Sequence, residues 1–449
     1  MSDLRRKIVD TTQGVIWKQL LALFFPLWFG SLFQQLYNTV DSVVVGRFVG
    51  KEALAAVGCT GSVISLTVGI FTGVASGAVV VIAQQYGARS AQRVRQSVHT
   101  SMLLGVIMGV FFMVAGYVTA PWMLQVMGTP ADTLADAELY LKVYCLGMIP
   151  NVVYNMGTGV LRAIGDSRRP LYFLIAASLC NIVLDLVFVL AFDMGVLGVA
   201  VATILSQLLS AVLVVASLMR ARGEMYQLHL RQLGMEKQSL KAVLRMGVPA
   251  ALQSVMYSVS NIVIQAAINA FGTDAVAAWT AYGKMDVVFW MTVSSMGLAI
   301  TTFAGQNYGA GKIDRLKQGV RVSVWMSMGA AVVLSVVLFI LARPLMSIFT
   351  PDGDVLAIGV EMVHFLVPFY ITYVLVELLA GAIRGAGKSL APTMISLFGV
   401  CALRLLWLLV AVPLHNTLYM VEASYPITWT VTSVALAIYY CKGRWLEQP

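Results

Sequence analysis

Charge is what this sequence has least of. Only 11% of its 449 residues are Asp, Glu, Lys or Arg, against about 25% in an ordinary soluble domain, while 59% are apolar. A water-soluble globular fold is excluded. Ligand frameworks are scarce as well. The five cysteines (Cys59, Cys145, Cys180, Cys401, Cys441) are odd in number and four lie inside apolar runs, where they read as small buried hydrophobes rather than a disulfide or zinc framework. The four histidines (His99, His229, His364, His415) are scattered, and neither an HExxH metal motif nor a GxxxxGK[ST] nucleotide loop occurs. No enzyme chemistry, no cofactor and no direct use of ATP are therefore expected. The period-2 alternation of a membrane barrel is missing. So is a short apolar core with a cleavage site after Arg5, Arg6 and Lys7, so this basic start is expected to be retained.

What is present is a succession of apolar runs of about 20 residues, the length a helix needs to cross the hydrocarbon. They cover approximately 20–43, 56–84, 97–120, 139–162, 171–192 and 196–219, then 247–270, 279–304, 320–343, 360–383, 393–413 and 420–441. In lipid every backbone polar group must be satisfied within the segment, so the runs predict an all-α integral membrane protein of twelve transmembrane helices. The net charge of +9 does not point to nucleic acid, because the basic residues lie between the runs rather than in patches. Of the 30 Lys and Arg, 24 fall on the side shared by both termini, and only Arg47, Lys51, Lys142 and Arg343 on the other. Basic residues in short loops stay cytoplasmic, so both termini are expected inside, and the acidic loops holding Asp132, Asp136, Glu138, Asp352 and Asp354 outside.

The two halves repeat. Gln84, Tyr86, Gly87 and Ala88 recur as Gln306, Tyr308, Gly309 and Ala310, and Arg162, Gly165, Ser167 and Pro170 recur as Arg384, Gly387, Ser389 and Pro392, each pair 222 residues apart. Pro26 and Asn38 find Pro249 and Asn261 at 223. Six helices per copy return the chain to its starting side, so the copies run parallel about a pseudo-two-fold axis along the membrane normal. The expected organisation is an N-terminal lobe (1–222), a cytoplasmic connection (223–246) and a C-terminal lobe (247–449). Such a pair of lobes suits alternating access around a central cleft.

These residues resemble a known family. QQYGA after the second span with its QNYGA copy, LRAIGDSRRP after the fourth with its IRGAGKSLAP copy, and Pro26 fifteen residues before Asp41 are similar to the multidrug and toxic compound extrusion (MATE) transporters. The resemblance implies a bacterial inner-membrane antiporter that expels organic cations and other amphiphiles against inward H+ or Na+. In the DinF-like branch an Asp of the first helix joins an Asn and an Asp four apart in the fifth. These correspond here to Asp41, Asn181 and Asp185. The NorM-like branch instead carries acids in its C-terminal lobe, at positions occupied here by Tyr257 and Tyr373, which favours coupling through the N-terminal lobe.

The residues themselves lead to the same group. An intramembrane acid costs about 2.5–3.5 kcal/mol at a helix centre, so each one is a candidate for function. Asp41, Asp185, Asp286, Glu361 and Glu377 qualify. Counting along the helices puts Asp41 and Asp185 in the outer half, with Thr203 at comparable depth and Asn181 one turn from Asp185. Two close carboxylates do not both ionise cheaply, so the pair can carry a proton. The same oxygens, from Asp41, Asn181, Asp185 and Thr203, could equally surround Na+. Gln34, Asn38 and Asp41 form a polar stripe on the first helix. Pro26 and Pro249 remove an intrahelical hydrogen bond, giving either a hinge that answers to Asp41 or a static bend. Pro150 and Pro368 are expected to kink the fourth and tenth helices.

In the second half, Lys284, Asp286, Glu377 and Arg404 remain, with Glu377 and Arg404 expected to pair and Lys284 or Asp286 to line the cleft. Gln34, Tyr37, Asn38, Met256, Tyr257, Asn261, Lys284, Asp286 and Glu377 are the candidates for a substrate cavity, whose Met-rich surface could re-pack around varied ligands. The expected partners are small amphiphilic or cationic substrates and the bilayer, with the protein a monomer. The alternative function is a lipid-linked oligosaccharide flippase. Such proteins usually place several cations in the cleft, whereas here only Lys284 and Arg404 are available.

Overall fold

The computed structural model describes residues 8–130 and 133–446; Arg5, Arg6, Lys7 and Asp132 lie outside the described residues. All regular structure among the described residues is helical, as the apolar runs require when water cannot satisfy the backbone. The first six expected spans correspond to α1 (Ile16–Val44), α2 (Lys51–Gly87), α3 (Ala91–Val126), α4 (Leu134–Leu146) with α5 (Met148–Ala163), α6 (Arg168–Leu186) and α7 (Gly195–Met219). The second six correspond to α8 (Lys237–Asn269), α9 (Thr273–Met285) with α10 (Val287–Gly309), α11 (Ile313–Ile340) followed by the short α12 (Ala342–Met346), α13 (Gly353–Leu366) with α14 (Tyr370–Gly385), α15 (Leu390–Ser396) with α16 (Leu403–Leu414), and α17 (Leu418–Cys441).

Among the described residues ten helices are long and apolar enough to cross a membrane. The expected fourth and twelfth spans are the exceptions, each for its own reason. The fourth is two helices meeting at Gly147, with Pro150 in the first turn of the second, where a missing N–H is tolerated. The twelfth, α17, has 24 residues, about 36 Å at 1.5 Å per residue, and buries Glu422, Ser424, Thr428, Thr432 and Ser433, which dilute its hydropathy. Other expected spans are also broken. The eighth divides at Asp286, and the tenth at a 3-10 turn over Val367–Phe369 that holds Pro368. Pro26 and Pro249, in contrast, sit inside unbroken α1 and α8.

Three wide π turns interrupt the regular pattern, at Val45–Val49, Val187–Ala191 and Leu397–Ala402. Such turns cluster at functional sites. Here each lies within a few residues of an intramembrane charge: Asp41, Asp185 and Arg404 respectively.

The chain forms two compact units: residues 1–10 with 25–251, and 11–24 with 252–449. In the first, α2, α3, α5, α7 and the start of α8 share a core that includes Phe71, Met102, Met148, Val152, Met156 and Val214. Gly73 and Gly77 of α2 bring its backbone against Ala251 and Gly247 of α8, where any added Cβ would collide. In the second unit α10 and α14 approach in the same manner. A Cβ on Gly381 would lie 2.9 Å from the Gly297 carbonyl, and Thr301 Oγ1 donates to the Gly381 carbonyl at 3.1 Å. Small residues at such seams let helices pack by dispersion where lipid offers no hydrophobic drive.

The repeat is visible in the backbone. Gly165 and Gly387, which are repeat mates, both adopt left-handed conformations with φ of +92° and +89°. So do Arg89 (φ 54°) and Gly311 (φ 70°), also 222 apart although the residue types differ.

Candidate functional site

The first unit brings the expected polar group together. Asp41 lies near the end of α1 and Asp185 near the end of α6, close enough for each carboxylate to feel the other. Asn181 and Asp185, one turn apart on α6, are both 0% exposed, and Thr203 on α7 is buried. Tyr37, one turn before Asp41, sets its hydroxyl beside that of Thr203, which in turn donates to the Val199 carbonyl at 3.0 Å. Tyr140 and Tyr144 of α4, stacked with centroids 6.3 Å apart, complete the surroundings of the two acids.

The group is polar yet unsatisfied. Asp41 Oδ1, both carboxylate oxygens of Asp185, and both amide atoms of Asn181 are buried without a hydrogen-bond partner. Natural proteins rarely leave buried polar atoms unpaired unless water, an ion or a function accounts for them. Four of these five atoms are oxygens, carried by α1 and α6.

Several sequence candidates fall elsewhere. Gln34 and Asn38 are exposed on α1, and the Asn38 carbonyl accepts from Ser42. Lys284 is exposed at the end of α9, and Met256 is half-buried on α8. Glu377 pairs with Arg384 at 3.3 Å, not with Arg404 as the sequence suggested. The two partners are seven residues, about two helical turns, apart on one face of α14, which a pairing argument based on burial alone overlooks.

The second unit holds a different kind of site, a cavity of about 510 Å³. Tyr257, Asn261 and Asp286 from the sequence-derived set line it, together with Trp279, Trp290, Tyr425 and Arg404. Asp286 accepts the Trp290 indole N–H at 2.7 Å, its carboxylate presented by the break between α9 and α10. Arg404 is 4% exposed and stacks over Tyr425 at 4.1 Å. Of the aromatic wall, Tyr257 and Trp279 were candidates in the sequence, while Trp290, Tyr425 and Trp429 were missed, although the i, i+4 spacing of Tyr425 and Trp429, edge to face at 5.4 Å, is legible there. Glu422 was missed too; it is buried within electrostatic reach of Glu361.

The repeated motifs serve as braces. Gln306 Oε1 accepts the Thr11 hydroxyl at 2.7 Å and Asn307 Nδ2 donates to the Thr11 carbonyl at 3.1 Å. The neighbouring basic residues Lys312 and Arg315 bind carbonyls of the same segment at 2.8 and 3.0 Å. In the first unit the LRAIGDSRRP motif caps α6: Asp166 accepts from the amides of Arg168 and Arg169, both at 3.1 Å, and pairs with the Arg169 side chain. Arg169 continues to Ser217 at 2.9 Å and Tyr226 at 3.2 Å. Burial pushes the Tyr226 hydroxyl, which lies in the connection, above its ordinary range. At the start of α8, Glu236 accepts from the amides of Gln238 and Ser239, which hold its carboxyl below the usual range.

The MatE family model matches this chain over residues 26–187 and again over 249–408, one match for each copy of the repeat. A probable multidrug resistance protein of Bacillus subtilis, YoeA, is 29% identical over 392 residues, covering 86% of this chain and 84% of its own. A second B. subtilis protein described in the same words, YpnP, is 26% identical and covers 89% of both chains. Among solved structures, an outward-facing multidrug resistance MATE family transporter of the MOP superfamily superposes with a TM-score of 0.89 at 23% identity, over 97% of this chain and 98% of its own. At that identity the likeness is one of fold.

Proposed function

Because the chain belongs to the multidrug and toxic compound extrusion family, we propose that it is a secondary antiporter of the DinF-like branch, exporting organic cations, drugs or other amphiphiles against inward H+ or Na+. The observation that carries the reading is the set of buried, unpartnered atoms on Asp41, Asn181 and Asp185. Protonation of the carboxylate pair removes the repulsion between its members. A sodium ion would be held by the same carboxylate and amide oxygens, with the Thr203 hydroxyl beside them. Either ion satisfies groups that are costly to leave bare in a low-dielectric site.

Export follows if loading of these groups biases the two lobes, 1–222 and 247–449 joined through 223–246, between inward and outward openings by a rocker switch. Pro26 is the proposed hinge. It sits inside unbroken α1, and its ring deprives the helix of one hydrogen bond there. The Bacillus relatives, named as probable multidrug resistance proteins, support varied amphiphilic substrates and a bacterial inner-membrane location. The excess of basic residues on one side supports cytoplasmic termini. A monomer holds all of these parts.

The test is efflux of a fluorescent organic cation from proteoliposomes, with pH and Na+ gradients imposed separately. Wild type should export under one of them, which identifies the ion, and both Asp41→Asn and Asp185→Asn should fall to the level of empty vesicles. Export by both variants at the wild-type rate rules out this group as the coupling site.

A further inference from the structure

The cavity of the second unit carries a buried cation of its own. Its one buried cationic side chain is Arg404, 4% exposed. Arg404 Nη2 donates to Thr428 Oγ1 at 3.2 Å, its plane stacks on Tyr425, and its Nε–H has no acceptor among the described residues. No carboxylate among the described residues lies within 4.0 Å of the guanidinium. Asp286 shares the cavity wall, where its Oδ2 accepts the Trp290 indole N–H at 2.7 Å. Intramembrane arginines are rare and ordinarily paired or functional. Here the planar fork is held by stacking and by one hydroxyl, with a donor left open for a carboxylate or sulfonate.

The walls supply the other half of a ligand. Trp279, Tyr282, Trp290, Tyr373, Tyr425 and Trp429 surround a cavity of about 510 Å³, within the range of small-molecule sites. Trp290 meets Tyr373 edge to face at 4.8 Å and Trp429 at 5.9 Å, while Trp279 leans on Tyr425 at 5.6 Å. These rings offer faces and edges to a flat aromatic guest. The position is also specific to this half of the chain: the residue 222 before Arg404 is Ile182, so the repeat does not account for the charge.

We propose that this cavity binds flat aromatic compounds bearing an acidic group, the acid on Arg404 and the rings among the tryptophans and tyrosines. It narrows the amphiphiles of the antiporter reading, on which it rests for its role as a substrate site, to a class that includes organic anions. The test is titration of the purified protein in nanodiscs with 1-naphthoate and with 1-naphthylmethylammonium, followed by quenching of tryptophan fluorescence. Naphthoate should bind wild type more tightly by about tenfold or more, the value of one charge-assisted hydrogen bond. Arg404→Gln should lose that preference, and Arg404→Lys, which keeps the charge but not the fork, should retain part of it. Equal or tighter binding of the ammonium to wild type overturns the proposal without recourse to any variant. Unchanged naphthoate affinity in a monodisperse Arg404→Gln protein overturns it as well. Because binding needs no gradient, naphthoate binding without ion-driven export would remove the antiporter reading and keep the site. Export alongside unchanged Arg404→Gln binding would do the reverse.

Discussion

The two units share a scaffold and differ in chemistry at equivalent positions. Where the first has Asp41, Asn181 and Asp185, the second has Ile264, Leu403 and Trp407 at offsets of 223, 222 and 222. Ile264 is buried in an apolar cluster, and Trp407 donates its indole N–H to the Met420 carbonyl at 2.8 Å. The second unit instead carries Arg404 and Asp286 in an aromatic cavity. Turn glycines and helix-end motifs survive duplication because the same backbone must be built twice. Residues inside the bundle are free to specialise as long as their volume is filled, which is the physical basis of the proposed division between an ion site in one lobe and a ligand site in the other.

The sharpest way to break this contrast is to remove the acids of the first unit. Asp41→Asn and Asp185→Asn should abolish gradient-driven efflux while leaving naphthoate binding at the Arg404 cavity intact; loss of both activities together would show that the units are not specialised as described.

A smaller effect is expected at the repeated turns. Gly165→Ala and Gly387→Ala both force a side chain into the left-handed region, at a cost of about 1–2 kcal/mol. The first should be worse because the added Cβ also runs into the Val9 carbonyl. Melting curves in detergent would rank the two variants, and an equal loss would mean that the Val9 contact gives way.

Next comes the half-buried pair of Glu377 and Arg384, whose repeat mates are Asn155 and Arg162. Glu377→Asn makes the second unit copy the first at this point. It should lower stability by about 1 kcal/mol or less, as partly exposed pairs do, without changing which gradient drives transport. A switch of coupling ion in this variant would place the ion site in the wrong lobe.

The smallest effect concerns the cap on α8. Glu236 has its pKa lowered in the folded state by two amide donors, so its contribution is present above the unfolded pKa and is lost as pH falls through the folded one. Glu236→Ala should therefore reduce the melting temperature slightly at neutral pH, with the difference from wild type vanishing in acid. A difference that persists in acid would mean that the carboxylate is not what caps the helix.

Much of this was legible along the chain. Lipid leaves a backbone no alternative to helix, so apolar run lengths foretold the all-α architecture, and the constant offset of 222 foretold its duplication. Depth counting from helix ends put Asp41, Asp185 and Thr203 at one level, and the structure sets these side chains in one neighbourhood. The breaks were harder to read. Pro150 and Pro368 announced theirs, but the division at Asp286 has no proline, and Val287 onward continues as apolar as before. Partner choice was also opaque: Glu377 and Arg404 are the obvious charges to pair, yet Arg384 lies on the same helix face as Glu377 and reaches it first.

Sequence alone therefore determined what the solvent dictates: a membrane-spanning helical chain, its repeat, its proposed orientation and the short set of intramembrane charges that must have a reason to exist. Only the tertiary structure decided which of those charges meet. Pairing depends on helix rotation and close packing at glycines such as Gly297 and Gly381, where shifts of an ångström choose between partners. The same packing left five polar atoms of one unit bare around Asp185 and one guanidinium of the other facing an aromatic cavity, and no one-dimensional pattern encodes an unfilled space.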